Sequence, residues 1–328
     1  MGRFLNSEKI RQAEFKASSP YFSSAARYDG VYRNKSRPFC LPAEEAEQNL
    51  FPETRKPALD HFAAHEIKWH DGQNGKPSNH LCDSQVCCVN FLFPFADKPD
   101  LLAEILRPIF PELDRMLPVE NGQYVSFEWI GKHNYLGERI SRNGKRTRGA
   151  NFTSTDSIVM FERKDRKRQV VLIEWKYTES YGSTSLKTAK SGTDRTEIYN
   201  HLFERDDCPV NKDLLPSFDA LFYEPFYQFM RQQLLAHEME KAHELDAEVV
   251  SLLHIAPSHN EDFRKVTSPK LRLLGESATD VWKKLVKTEN RFISISTEQL
   301  FGKLFVEHFP EIKAWAEYIH ARYTWVHE

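Results

Sequence analysis

Two carboxylates and an amine stand at the ends of two apolar segments. Asp156 precedes SIVMF (157–161), while Glu174 and Lys176 lie at the end of QVVLIEW (169–175) and just beyond it. Both segments are rich in β-branched residues and read as strands, with the charged RKDRKR (163–168) as the reversal between them. Side chains two apart on a strand project from one face, so Glu174 and Lys176 point together and Trp175 points away. The hairpin brings Asp156 beside that pair. Phosphodiester hydrolysis needs a nucleophile at neutral pH and a clamp on developing negative charge. Mg²⁺ or Mn²⁺ held by two carboxylates supplies both, and a lysine can hold the attacking water or stabilise the charge. The bland alternative is an ion pair on an exposed strand. The segment is apolar on both faces, however, so charges at its end need a reason.

The elements that must position these groups follow from periodicity. YVSFEWI (124–130) alternates as a strand does. Residues 223–243 form the clearest helix, with Phe222, Phe226, Phe229, Met230 and Leu234 on an apolar stripe and Glu224, Gln228, Arg231 and Gln232 on another, solvated face. EVVSLLHIAP (248–257) and FISIS (292–296) read as further strands, and 277–287 as helix. Upstream, 43–69, 81–93 and 100–107 read as helical, and Asp71–Asn79 as a Gly/Pro/Asn loop. Ser84, Gln85 and Asn90 read as helix and capping residues, and His70 and His254 as structural. Residues 1–40 lack periodicity and read as an irregular arm anchored by Tyr and Phe; 178–196 reads as a mobile loop. The order of strands and helices predicts an α/β fold: a mixed sheet with helices on its faces.

Composition narrows the class. The 328 residues are 40% hydrophobic, enough for a packed core, and hold no run of eighteen apolar residues, which argues against a membrane span. The amino terminus has no apolar leader pattern, and Asn6 stands where myristoylation wants a small hydroxyl residue. A cytoplasmic protein is the expectation. The five cysteines are odd in number and irregularly spaced, which argues against a disulfide framework. His80, Cys82, Cys87 and Cys88 lack the paired spacing of a zinc site, so buried free thiols are expected. Net charge is −2, yet residues 1–40 and 132–168 are net basic while 41–131 and 169–328 are net acidic. Arg142, Lys145, Arg146 and Arg148, in the loop before Asp156, are the candidates for phosphate contacts, with a merely solvated loop as the alternative.

The pattern D-x17-E-x-K, with both parts at the ends of apolar strands, resembles the PD-(D/E)XK restriction-endonuclease-like nucleases. HLCDSQVCCVNFLFPF (80–95), FEWIGKHNYLGE (127–138), VLIEWKYTES (171–180) and YEPFYQFMRQQLLA (223–236) are similar to a small bacterial family of restriction endonucleases within that group. The resemblance runs from about residue 65 to about residue 257. It implies a restriction-endonuclease-like core sheet at 80–260, a helical or irregular extension at 1–79, and a C-terminal extension at 261–328 packed on the core. It implies metal ligation by Asp156, Glu174 and the Trp175 carbonyl, with Mg²⁺ or Mn²⁺ as cofactor, and a catalytic role for Lys176. Glu128 is the preferred upstream acid, with Glu138 and Glu104 as competitors. Gln228 corresponds to the glutamine that relatives carry on the helix after the sheet; Gln232 stands where they often have tyrosine, and with Arg231 these are candidates for nucleic-acid contact. Thr155 replaces the proline before the motif Asp. The implied activity is a metal-dependent DNA endonuclease in restriction, defence or repair, acting alone or as a homodimer. An exonuclease or RNase on the same core is a second enzyme reading. A catalytically inactive nucleic-acid-binding protein or scaffold is the alternative from another class.

Overall fold

The computed structural model describes residues 2–140, 144–150, 152–302, 304 and 306–327. The chain begins with α1 (Arg3–Ser18), a small hairpin of β1 (Gly30–Tyr32) and β2 (Lys35–Arg37), and α2 (Pro52–Ala64). Then come α3 (Ser84–Leu92), α4 (Pro99–Leu106), and four strands: β3 (Leu113–Leu117), β4 (Val125–Trp129), β5 (Thr155–Arg163) and β6 (Arg168–Trp175). Helices α5 (Thr196–Phe203) and α6 (Phe226–Lys241) lead to β7 (Val249–Ala256), α7 (Glu261–Arg264), α8 (Ala278–Leu285), β8 (Phe292–Ser296), α9 (Thr297–Phe301) and α10 (Lys313–Arg322).

Six strands form one mixed sheet in the order β3-β5-β6-β7-β8, with β4 on β5 beside β3. β5 pairs antiparallel with β6, while β6–β7 and β7–β8 are parallel. Alternation along the central strands divides the core in two. Val159, Phe161, Val171, Ile173 and Trp175 face the layer that includes α1 to α4 and α10. Ile158, Met160, Val170 and Leu172 face α5, α6 and α8. A strand covered on both faces must be apolar at every position, which explains the unbroken QVVLI run. The expected mixed α/β sheet with flanking helices is what forms.

Three local readings differ. Residues 3–18 form a helix where an irregular arm was expected. Its buried stripe is Phe4, Glu8, Gln12, Phe15 and Lys16, helical in spacing but mostly polar, so hydrophobic periodicity does not reveal it. Polar burial there is satisfied: Tyr177 Oη donates to Glu8, Arg322 Nε donates to Gln12 Oε1 at 3.1 Å, and Lys16 donates to the Tyr28 and Cys40 carbonyls. The 43–69 segment divides into a 3-10 turn (Ala43–Asn49) and α2, separated before Pro52. The expected solvated face of α6 is partly buried, with Gln232 1% exposed. Among the described residues no helix is long and apolar enough to cross a membrane. All five cysteines are free and buried, as expected.

Candidate active site

Strand register sets the site. Ser157 pairs with Ile173, so Asp156 falls opposite Glu174 at the next position. On the other side, the pairs Phe127–Ser157 and Trp129–Thr155 bracket Glu128 opposite Asp156. Glu174 pairs with His254 on β7, and His254 with Ser294 on β8. Glu128, Asp156, Glu174, His254 and Ser294 therefore form one row across five strands. Cross-strand neighbours of this kind interact directly. Glu128 occupies φ 51°, the left-handed region that non-glycine residues rarely adopt, inside an otherwise regular strand.

The side chains converge as the hairpin predicts for Glu174 and Lys176. Glu174 is 1% and Lys176 5% exposed, and the ammonium forms an ion pair with Glu174 Oε1. Gln232, reaching over from α6, donates to Glu174 Oε2 and to the Ser154 carbonyl, the latter at 3.0 Å. Asp156 Oδ2 accepts the Trp175 backbone N–H at 2.6 Å, which fixes the carboxylate across the hairpin. Glu128, 7% exposed, accepts from Gln85 Nε2 at 2.6 Å and from Ser154 Oγ at 2.8 Å. The Trp175 carbonyl accepts from Ser84 Oγ at 3.2 Å, and the Trp175 ring lies in the opposite core layer.

Glutamine placement corrects the sequence reading. The amide that reaches the carboxylates is Gln232, one helical turn after Gln228. Its burial comes from its bonds to Glu174 and Ser154 and leaves no hydrophobic signature. Gln85 is also more than a helix residue, since it links Glu128 to the Lys68 carbonyl at 3.2 Å and accepts the His70 N–H. Ser84 likewise reaches the site strand. Asp83 caps α3 by accepting the Val86 N–H. Glu224 was read only as part of a helix face; it is half-buried, near enough to Glu174 and Lys176 to act on them electrostatically, and its Oε2 is buried without a hydrogen bond.

The basic candidates are largely engaged with the protein itself. Arg148 Nε donates to the Phe127 carbonyl at 3.0 Å, and its Nη1 to Glu120. Arg146 donates to the Ile130 and Gly131 carbonyls. Lys145 pairs with Glu66, and Arg231 Nη1 donates to Thr153 at 3.3 Å beneath the Tyr227 ring. The loop is thus neither freely solvated nor a row of unengaged cations. Arg142 lies outside the described residues. Lys145, Arg146 and Arg148 border a cleft of about 870 Å³ with Lys132, His133 and Trp129; Asp156, Glu174 and Lys176 do not line it.

Burial raises the Asp156 carboxyl well above its ordinary 3.8, and the negative charge of Glu174 adds to the shift, with Lys176 opposing it. Burial raises Glu128 too, against the hydrogen bonds from Gln85 and Ser154 and with Glu174 adding. Desolvation disfavours the Lys176 ammonium, yet Glu174, with Tyr181, Glu179 and Asp156, holds its pKa well above normal. Burial pushes His254 well below its ordinary value, with Lys176 adding, so that imidazole stays neutral. A carboxyl whose folded pKa exceeds its unfolded value binds protons better in the folded state. Stability therefore falls as pH rises from the ordinary carboxylate range through the raised value. The metal-free protein should melt higher at about pH 5 than at pH 7 for this reason. Asp156→Asn should flatten that dependence, and equal slopes in differential scanning melts of the two proteins would refute the electrostatic account.

The donor set bears on whether an ion fits. Carboxylates from three adjacent strands face one ammonium, leaving excess negative charge in a buried place, with the orphaned Glu224 oxygen nearby. Asp156, Glu174 and Glu128 do not make a compact three-ligand cage. Among the described residues the group of three whose ligand atoms all lie within 4.8 Å of one another is His61, His65 and Glu120. Two carboxylates completed by water suit Mg²⁺, which keeps its waters and uses few protein ligands.

With this geometry in view, the comparison with known families is decisive. Residues 9–324 match the family described as restriction endonuclease associating with ARP. The chain belongs to that family. No curated protein and no solved structure matches the chain. The family match takes in the later part of α1 and all of α10, well beyond the stretch on which the sequence resemblance rests. Membership in this restriction-endonuclease family agrees with the mixed sheet and its flanking helices.

Proposed function

We propose that this chain is a metal-dependent nuclease that hydrolyses DNA phosphodiester bonds as an endonuclease. The observation that carries the reading is the register that sets Asp156 opposite Glu174, with the buried Lys176 ammonium against them. Asp156 and Glu174 would hold the ion, and the Trp175 carbonyl lies between Glu174 and Lys176 in the chain. When bound there, Mg²⁺ or Mn²⁺ supplies an activated water and polarises a phosphoryl oxygen. Lys176 positions the attacking water and offsets charge that develops on the phosphate. Gln232 orients Glu174, while Gln85 and Ser154 orient Glu128, whose raised pKa suits it to accept a proton from the attacking water. Lys145, Arg146 and Arg148 supply positive potential along the neighbouring cleft, and Gln228 and Arg231 add polar groups from α6.

A second reading has one observation in its favour. Both Glu174 oxygens are already engaged, by Lys176 and Gln232, as they would be in a nucleic-acid-binding or scaffold protein without catalysis. Incubation with supercoiled plasmid and Mg²⁺ or Mn²⁺ distinguishes the two. Nicked circles and then linear DNA are expected, with both absent when a chelator is present. A covalently closed substrate also rules out a purely exonucleolytic route to these products. Intact plasmid across both ions, with binding retained, would leave the second reading.

A further inference from the structure

Apart from the carboxylate row, α2 and the β3–β4 connection bring together a second set of ligand-type groups. His61 lies in the last turn of α2, and His65 follows as its C-cap residue. Residues four apart on a helix share a face, so the two imidazoles stand side by side, with ring centroids 4.6 Å apart. Glu120 approaches from the turn before β4: its Oε1 is 4.0 Å from His61 Nε2 and its Oε2 is 3.4 Å from His65 Nδ1. We propose that His61, His65 and Glu120 form a binding site for a divalent transition-metal ion of the zinc type, separate from the Asp156–Glu174 site.

Distance and chemistry agree. Tetrahedral zinc with bonds of about 2.0–2.1 Å to nitrogen and oxygen sets its ligand atoms roughly 3.4 Å apart. The observed 3.4 and 4.0 Å separations need only a small closure. Two histidines and one carboxylate favour zinc-type ions over Mg²⁺, which prefers oxygen throughout. Independently of the spacing, His61 is 6% exposed and its Nε2 is buried without a hydrogen-bond partner. A buried imidazole nitrogen left unpaired is costly, and a metal ion would satisfy it. Gln123 is the neighbouring amide, close enough to His61 to interact with it as a weak hydrogen-bond partner, although neither its Oε1 nor His61 Nε2 has a hydrogen bond of full geometry.

The surroundings resemble an outer shell. Arg148 Nη1 lies 2.9 and 3.1 Å from the two Glu120 oxygens, and Ser126 Oγ donates to Oε1. These contacts hold the carboxylate in place while leaving lone pairs on it. Asn121 Nδ2 is 3.0 Å from His65 Nε2. With an ion on Nδ1, Nε2 would carry the proton, and a turn of the Asn121 amide would present its oxygen to that N–H. His65, Glu120 and Arg148 border the 870 Å³ cleft while His61 lies behind them, so a fourth position would open to solvent.

The test uses the full chain, stripped with a chelator and then titrated with Zn²⁺ alone against a chromophoric competitor in excess Mg²⁺. One equivalent should bind to the wild-type protein and equally to Glu174→Gln, and Co²⁺ in its place should give the visible bands of a tetrahedral site. His65→Ala, which alters a partly exposed residue, should weaken binding more than about a hundredfold. Asn121 has a φ of 49°, so Asn121→Gly keeps the left-handed backbone, and it should weaken binding about tenfold. Circular dichroism melts check that each variant folds. Absence of stoichiometric uptake, uptake unchanged in His65→Ala, or uptake lost in Glu174→Gln would each overturn the proposal. None of these outcomes depends on whether the protein cleaves DNA.

Discussion

Glu174→Gln should abolish metal-dependent cleavage, a loss of about three orders of magnitude or more in rate, equivalent to roughly 4 kcal/mol of barrier. The side chain keeps its volume and can still accept the Gln232 amide proton, so the change is chiefly one of charge. A neutral amide is a poor ligand for a hard cation, and metal affinity should fall with activity. Metal-free stability should change little. The substitution removes the partner of Lys176, but it also removes repulsion that Glu174 exerts on Asp156 and Glu128. Lys176 keeps Asp156 as a neighbouring carboxylate. Plasmid nicking and urea melts on the same preparation measure both effects. Retained cleavage, or a large loss of stability without loss of rate, would sink the assignment of Glu174.

Why the carboxylates were legible and their supports were not follows from period and distance. Asp156, Glu174 and Lys176 lie at strand ends, where a period of two fixes the face and a short reversal fixes the register. β8 and the α6 stripe were legible for the same reason: apolar spacing at a single element. Gln232 was named as a nucleic-acid contact, but its place against Glu174 escaped because its burial rests on bonds to Glu174 and Ser154, and polar burial leaves no trace in hydrophobic periodicity. Gln85 joins Glu128 only through tertiary packing. The same holds for α1, where Glu8, Gln12 and Lys16 occupy a core stripe through bonds to Tyr177, Arg322 and two backbone carbonyls. Tyr177 directly follows Lys176, so this helix secures the chain just where β6 leaves the carboxylate row. His61 and His65 have helical spacing, but Glu120, from another segment, is what turns them into a site.

Lys176→Met should act differently from Glu174→Gln, although both should end cleavage. An ion pair at an exposed strand end would be worth little, and losing it would alter stability little. Burial changes that expectation for the lysine. Without its ammonium, Asp156, Glu174 and Glu128 share a desolvated region that has lost the cation paired with Glu174. Breaking a buried pair from one side costs about 3–5 kcal/mol. The Asp156 and Glu128 carboxyls can relieve the strain by binding protons, so the penalty should be largest near pH 7 and shrink as pH falls, the direction set by their raised pKa values. A divalent cation should relieve it as well, so Mg²⁺ should raise the melting temperature of Lys176→Met more than that of the wild-type protein. The double variant Glu174→Gln/Lys176→Met removes both partners and should recover much of the loss, since a matched deletion leaves fewer uncompensated charges. Urea melts of the wild type, both single variants and the double variant, at two pH values and with or without Mg²⁺, complete the cycle. A double variant no more stable than Lys176→Met would show that the lysine acts through packing, and the charge account of the site would fail.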